Sequence, residues 1–130
     1  MVKITALYVG LYLIVLTYLM LRTILKRVST RVSILDGGNT EMTSAIRIHG
    51  NFVETSVFVL IGIMISEMRG IDSVIIHAWG VLYLVGRVLH FYGLRKTLEE
   101  SIGRKIGTII TLLILLTQGT ILSYDALLNI

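Results

Sequence analysis

The stretch RIHGNFVETSVFVLIGIMI, residues 47–65, decides how the chain is read. It opens with an arginine, an imidazole, an amide and a carboxylate within eight positions, and residues 57–65 then carry no charge at all. Such a passage from ionisable groups into unbroken hydrocarbon suits a helix that enters a membrane, with its polar groups held at one end in a pocket or in a tie between helices. The whole chain agrees: of 130 residues 55% are hydrophobic and none is proline, and the mean hydropathy is +0.84. Ordinary soluble domains of this size carry more charge and more turn formers.

Four segments, 4–25, 43–68, 73–94 and 106–128, are each apolar over close to the ~20 residues that a helical crossing needs. The expected fold is all-α: an integral membrane four-helix bundle forming a single domain over residues 1–130, with helices at about 4–28, 43–69, 72–94 and 101–128. A water-soluble bundle would require more polar surface than these segments leave. The first segment is longer than the apolar part of a signal peptide and no small-residue cleavage site follows it, so it is expected to be a retained helix.

Without cysteine, disulfides, thiolate metal ligands and a cysteine nucleophile are excluded, and any thiol chemistry must use a thiol from elsewhere. The net charge of +4 does not point to nucleic acid, because the basic residues flank the spans. Arg22, Lys26, Arg27, Arg31 and Arg47 surround the first loop, and Arg95, Lys96, Arg104 and Lys105 the third. The second loop has Arg69 and the amino-terminal tail Lys3. The positive-inside bias puts loops one and three in the cytoplasm and both termini outside. Turn and cap signals mark the ends: Asn39 or Thr40 before the second helix, Gly70 after it, Asp72 or Ser73 before the third, and Thr97 with Glu100 as a capping box before the fourth.

Arg47, Asn51 and Glu54 share one face of the second helix, whereas His49 points away from it. Tyr83, Arg87 and His90 repeat the pattern on the third, with Arg87 about 9 Å from the helix end expected at Gly93. A charged group facing lipid costs several kcal/mol, so these residues need partners, and Glu54 with Arg87 is the natural pair. Tyr83 is the tyrosine expected to face a pocket; Thr108, Thr111 and Gln118 are expected to bond to backbone or across the bundle. No His-x-x-x-His or Glu-x-x-His pair lies on one helix, so no metal site is expected.

RIHGNFVE (47–54) followed by YLVGRVLHFYGL (83–94) resembles the membrane-associated proteins in eicosanoid and glutathione metabolism, the MAPEG family, and within it the bacterial-type microsomal glutathione transferases. The resemblance implies a homotrimer in a membrane, expected from its bacterial members to be the inner one, with glutathione as cosubstrate between neighbouring subunits. It assigns Arg47, His49, Asn51, Glu54, Arg87 and His90 to glutathione contact and Arg104 to the catalytic task of holding the thiolate. The other partners would be membrane lipid and a hydrophobic small-molecule substrate. The family pattern is not matched throughout: Val57 and Phe58 stand where a proline is common, Leu94 stands where a tyrosine is common, and the family's loop-one arginine could correspond to Arg27 or Arg31. The implied function is a glutathione-dependent transferase or peroxidase acting on hydrophobic electrophiles or lipid hydroperoxides. Its alternatives are a catalytically silent lipid-binding or scaffold protein of the same fold and, because Glu54 lies within a span, a small proton-coupled exporter.

Overall fold

A computed structural model describes residues 2–129, and among them helices are the only regular elements. They are α1 (Lys3–Thr30), α2 (Thr40–Met68), α3 (Ser73–Lys96) and α4 (Ile102–Leu128), each long and apolar enough to cross a membrane. α1 packs on α2 and α3 on α4; α2 lies against all three others, while α1 meets α3 through tyrosine side chains rather than by close backbone approach.

The helix ends follow local chemistry. Asn39 accepts the Met42 N–H at 2.9 Å and starts α2 at Thr40, three residues before the expected start at 43. Asp72 accepts from Val74 N at 2.7 Å and starts α3, and Gly70, at φ +74°, closes the turn after α2. The Thr97–Glu100 capping box does not form. Thr97 instead accepts from Glu99 N at 3.1 Å, and Ser101, in extended backbone, caps α4. α3 continues past Gly93 to Lys96 because that glycine is used for close packing on α4 rather than for termination. α2 is unbroken through Val57 and Phe58, where no proline interrupts its ladder. In loop one, the Gly38 N–H and the Thr43 hydroxyl hold the Asp36 carboxylate below its usual range.

Aromatic rings join three helices at the bundle centre. Tyr12 and Tyr83 stack with ring centroids 5.1 Å apart, and Phe52 packs 6.0 Å from each. In lipid a buried phenol hydroxyl needs a partner, and for these tyrosines neighbouring helices supply it. Tyr83 donates to the Phe52 carbonyl at 3.1 Å and bonds to Thr55 at 2.8 Å. Tyr12 donates to the Gly80 carbonyl at 3.3 Å and Tyr8 to the His77 carbonyl at 3.1 Å. Tyr83 is therefore a core residue; the expectation that it faces a pocket is corrected by this backbone bond. At the end of the bundle holding loop two, the Glu67 carboxylate caps α1, accepting from Ile4 N at 2.9 Å and Thr5 N at 2.7 Å. There a negative group meets the positive end of the helix.

The α3–α4 contact is the closest in the bundle. A Cβ on Gly107 would run into the Gly86 carbonyl and lie 2.9 Å from the His90 Cβ, and one on Gly103 would lie 2.8 Å from the Leu89 carbonyl. Small residues allow this approach. Gly107→Ala is expected to destabilise the protein by about 1–3 kcal/mol, as overpacking does. Gly10→Ala, with nothing within 4 Å of the new methyl, should be neutral or gain up to about 1 kcal/mol of helix propensity. Denaturation of both variants in the same detergent is the check; equal losses would contradict the close contact.

Candidate functional site

The glycine contact sets one side of a polar cavity. With α4 pressed on α3, its first turn stands beside His90, and α2 closes the third side. The cavity, about 400 Å³, is lined by Arg47, Asn51 and Thr43 of α2, His90 and Leu94 of α3, Arg104 and Thr108 of α4, and Leu98 between them. Arg47 and Asn51 are a turn apart, and the Asn51 amide donates to the Arg47 carbonyl at 2.7 Å. Arg104 lies in the first turn of α4, where unpaired N–H groups add positive potential. Its guanidinium makes one hydrogen bond among the described residues, to the Leu98 carbonyl at 3.2 Å. No carboxylate lines this cavity among the described residues, and neither Arg47 nor Arg104 takes part in an ion pair among them. Two guanidiniums, an imidazole and an amide around one space suit an anion.

The other expected site residues lie elsewhere. Arg87 is buried and does not pair with Glu54. It donates through Nη2 to the Gly107 carbonyl at 2.9 Å and to the Thr111 hydroxyl, and its guanidinium lies 5.4 Å from the Tyr83 ring centroid. The reason is facial. Arg87 sits on the side of α3 that meets α4, whereas Glu54 is two residues from the buried Phe52 and so faces away from the core. Glu54 is exposed and stands at the midpoint of α2. His49, two residues from both Arg47 and Asn51, is half-buried and outside the cavity. Of the two loop-one arginines, Arg27 is held by the loop itself, donating to the Leu35 carbonyl at 3.0 Å, and Arg31 is the left-handed residue that ends α1. No group of three histidine, aspartate or glutamate side chains among the described residues could hold a metal ion.

Thr43, Leu98 and Thr108 line the cavity without having been singled out for it. Thr108 had a signal, its position one turn after Arg104 on the same helix face. Its hydroxyl donates to the Arg104 carbonyl at 2.9 Å, the backbone bond expected of a threonine within a span.

The family model for the MAPEG family matches residues 5–122. The chain belongs to the MAPEG family. The inner membrane protein YecN of Escherichia coli strain K12 is 36% identical to this MAPEG chain over 95 residues, which is 73% of the chain and 72% of YecN. YecN of Escherichia coli O6:H1 strain CFT073 matches equally. No solved structure matches this MAPEG protein.

The bonds of Arg87 decide between two outcomes of mutation. Thr111→Val removes an acceptor from a buried guanidinium and is expected to cost about 1–3 kcal/mol. Glu54→Gln removes no bond of Arg87 and should cost the ligand-free protein no more than about 0.5 kcal/mol of stability. Denaturation of both variants without thiol is the measurement. A larger loss from Glu54→Gln would restore the Glu54–Arg87 pair.

Proposed function

We propose that this MAPEG protein is a glutathione-dependent transferase or peroxidase acting on hydrophobic electrophiles or lipid hydroperoxides. The observation that carries the reading is the cavity shared by Arg47, Asn51, His90 and Arg104, with no carboxylate in its lining. Glutathione fits that donor set: its two carboxylates suit guanidinium forks and its amides suit Asn51. Arg104, reinforced by the positive end of α4, would lower the pKa of a bound thiol and raise its thiolate fraction near neutral pH. In conjugation, the sulfur forms a bond to the electrophilic carbon as the leaving group departs with its electron pair. With a hydroperoxide, the sulfur takes the distal oxygen, the alcohol leaves, and a second glutathione reduces the sulfenic acid to yield the disulfide and water.

The protein is proposed to act as a homotrimer. A carboxylate that faces lipid at the midpoint of a span costs several kcal/mol, and Glu54 is in that position in the isolated protomer. A neighbouring subunit would cover Glu54 and the exposed Arg47, completing the site with Glu54 placed to meet the glutathione amine. By analogy with YecN, an inner membrane protein, the location proposed is the bacterial inner membrane, with loops one and three in the cytoplasm as the basic flanks require.

One observation favours a second reading. Leu94 is buried and lines the cavity, so the side chain at that position offers no hydrogen bond to a ligand. This suits a member that binds without catalysing. Arg104→Leu separates the readings. An enzyme should retain most of its stabilisation by glutathione and lose, by at least about tenfold, both the thiolate absorbance of bound glutathione and conjugation to a model electrophile, a loss of ~1.4 kcal/mol or more in transition-state stabilisation. Conjugation at the parental rate would make Arg104 an interfacial anchor. Absence of conjugation in the parent, with glutathione bound, would leave the silent reading.

A further inference from the structure

We propose a second ligand site, for an anionic phospholipid of the surrounding leaflet, in the cleft between α1 and α3; it does not depend on the thiol reading. Two adjoining cavities form it. The first, of about 500 Å³, is floored by Ile48 and Phe52 of α2 and walled by largely apolar side chains of α1 and α3, with Arg87 and His90 as the charged and polar exceptions, a volume within the ~300–1,000 Å³ of small-molecule sites. It opens sideways, since Ile14 at its edge is 69% exposed. The second, of about 690 Å³, lies at the end of the cleft toward loops one and three, and Tyr18 lines both.

The second cavity has the opposite chemistry. Arg22, Lys26, Arg95 and Lys96 line it against Glu41 and Glu99, four positive groups minus two negative, a net charge of +2. Lys26 and Glu41 neutralise each other in an ion pair at 2.7 Å. Arg22 stands at the junction: its guanidinium lies 5.3 Å from the centroid of the Phe91 ring, which lines the apolar cavity. Its Nη1 is buried with no hydrogen-bond partner among the described residues. A buried donor left in that state is costly, and a phosphodiester oxygen is the acceptor that would relieve it with charge assistance. Basic pockets between membrane helices select anionic headgroups in this way.

The sideways opening identifies the source. A two-chain lipid can enter from the bilayer with one chain in the cleft, the other still in the membrane and its phosphate on Arg22. A helix from a second copy could also cover the apolar cleft, and it would give no preference for an anionic over a zwitterionic headgroup.

The test uses the full chain in neutral detergent, titrated with dioleoyl phosphatidylglycerol, dioleoyl phosphatidylcholine and oleate, with thermal stability and native mass spectrometry as readouts. Phosphatidylglycerol should stabilise saturably and bind about tenfold more tightly than phosphatidylcholine. Arg22→Met should remove that preference, Arg95→Gln should reduce it, and Val88→Trp, which fills the cleft, should weaken both phospholipids. Arg95 is exposed, so its variant remains informative if Arg22→Met does not fold. Equal binding of the two phospholipids by the parent, tighter binding of oleate than of phosphatidylglycerol, or an unchanged preference in every folded arginine variant would overturn the proposal.

Discussion

The contact of Gly86 and Gly107, backbone against backbone, is the constraint from which the polar chemistry follows. Helices in lipid gain no hydrophobic free energy by associating, so they are held by close packing and by hydrogen bonds that lipid cannot supply. Here both operate at one point. The approach that Gly107 permits places its carbonyl within 2.9 Å of Arg87 Nη2, and Arg87 is held through Nη2 by α4 rather than by a carboxylate, while its Nε stays buried without a partner among the described residues. The same approach brings the first turn of α4, with Arg104, to the side of His90. A bulkier residue at position 107 would push α4 away and separate the members of the cavity.

Some of this was readable from the residues alone, and the division has a physical cause. Spans are set by hydrocarbon length and helix ends by local capping, so the four helices and the caps at Asn39 and Asp72 follow from short stretches of chain. Helical periodicity places Arg47 and Asn51 on one face and His90 on a face of α3, but it does not say which faces meet. That gap accounts for the Glu54–Arg87 pairing: a buried arginine must be satisfied, and charge alone cannot distinguish a carboxylate on α2 from a carbonyl on α4. Tyr83 shows the same ambiguity, since a phenol can serve a pocket or a core, and the Phe52 carbonyl decides for the core. Glu67 carried no pattern, because its partners are backbone N–H groups more than sixty residues away.

His90 links the two proposed ligand sites. Arg87 and His90 both line the apolar cleft, and of the two His90 also lines the polar cavity. A lipid in the cleft and an anion in the cavity would therefore sit on opposite sides of one imidazole, and occupation of either would affect its electrostatic surroundings. Glu54 raises a different demand. Exposed at the midpoint of a span, it makes the isolated protomer a poor membrane solute and favours assembly that covers it.

The central claim is an anion site completed by assembly, and native mass spectrometry of the protein released from mild detergent tests both halves at once. With glutathione and its diester, which lacks both carboxylates, supplied at equal concentration, the expected species is a trimer that retains glutathione and not the diester. A folded monomer, or equal retention of the two ligands by the trimer, would contradict it.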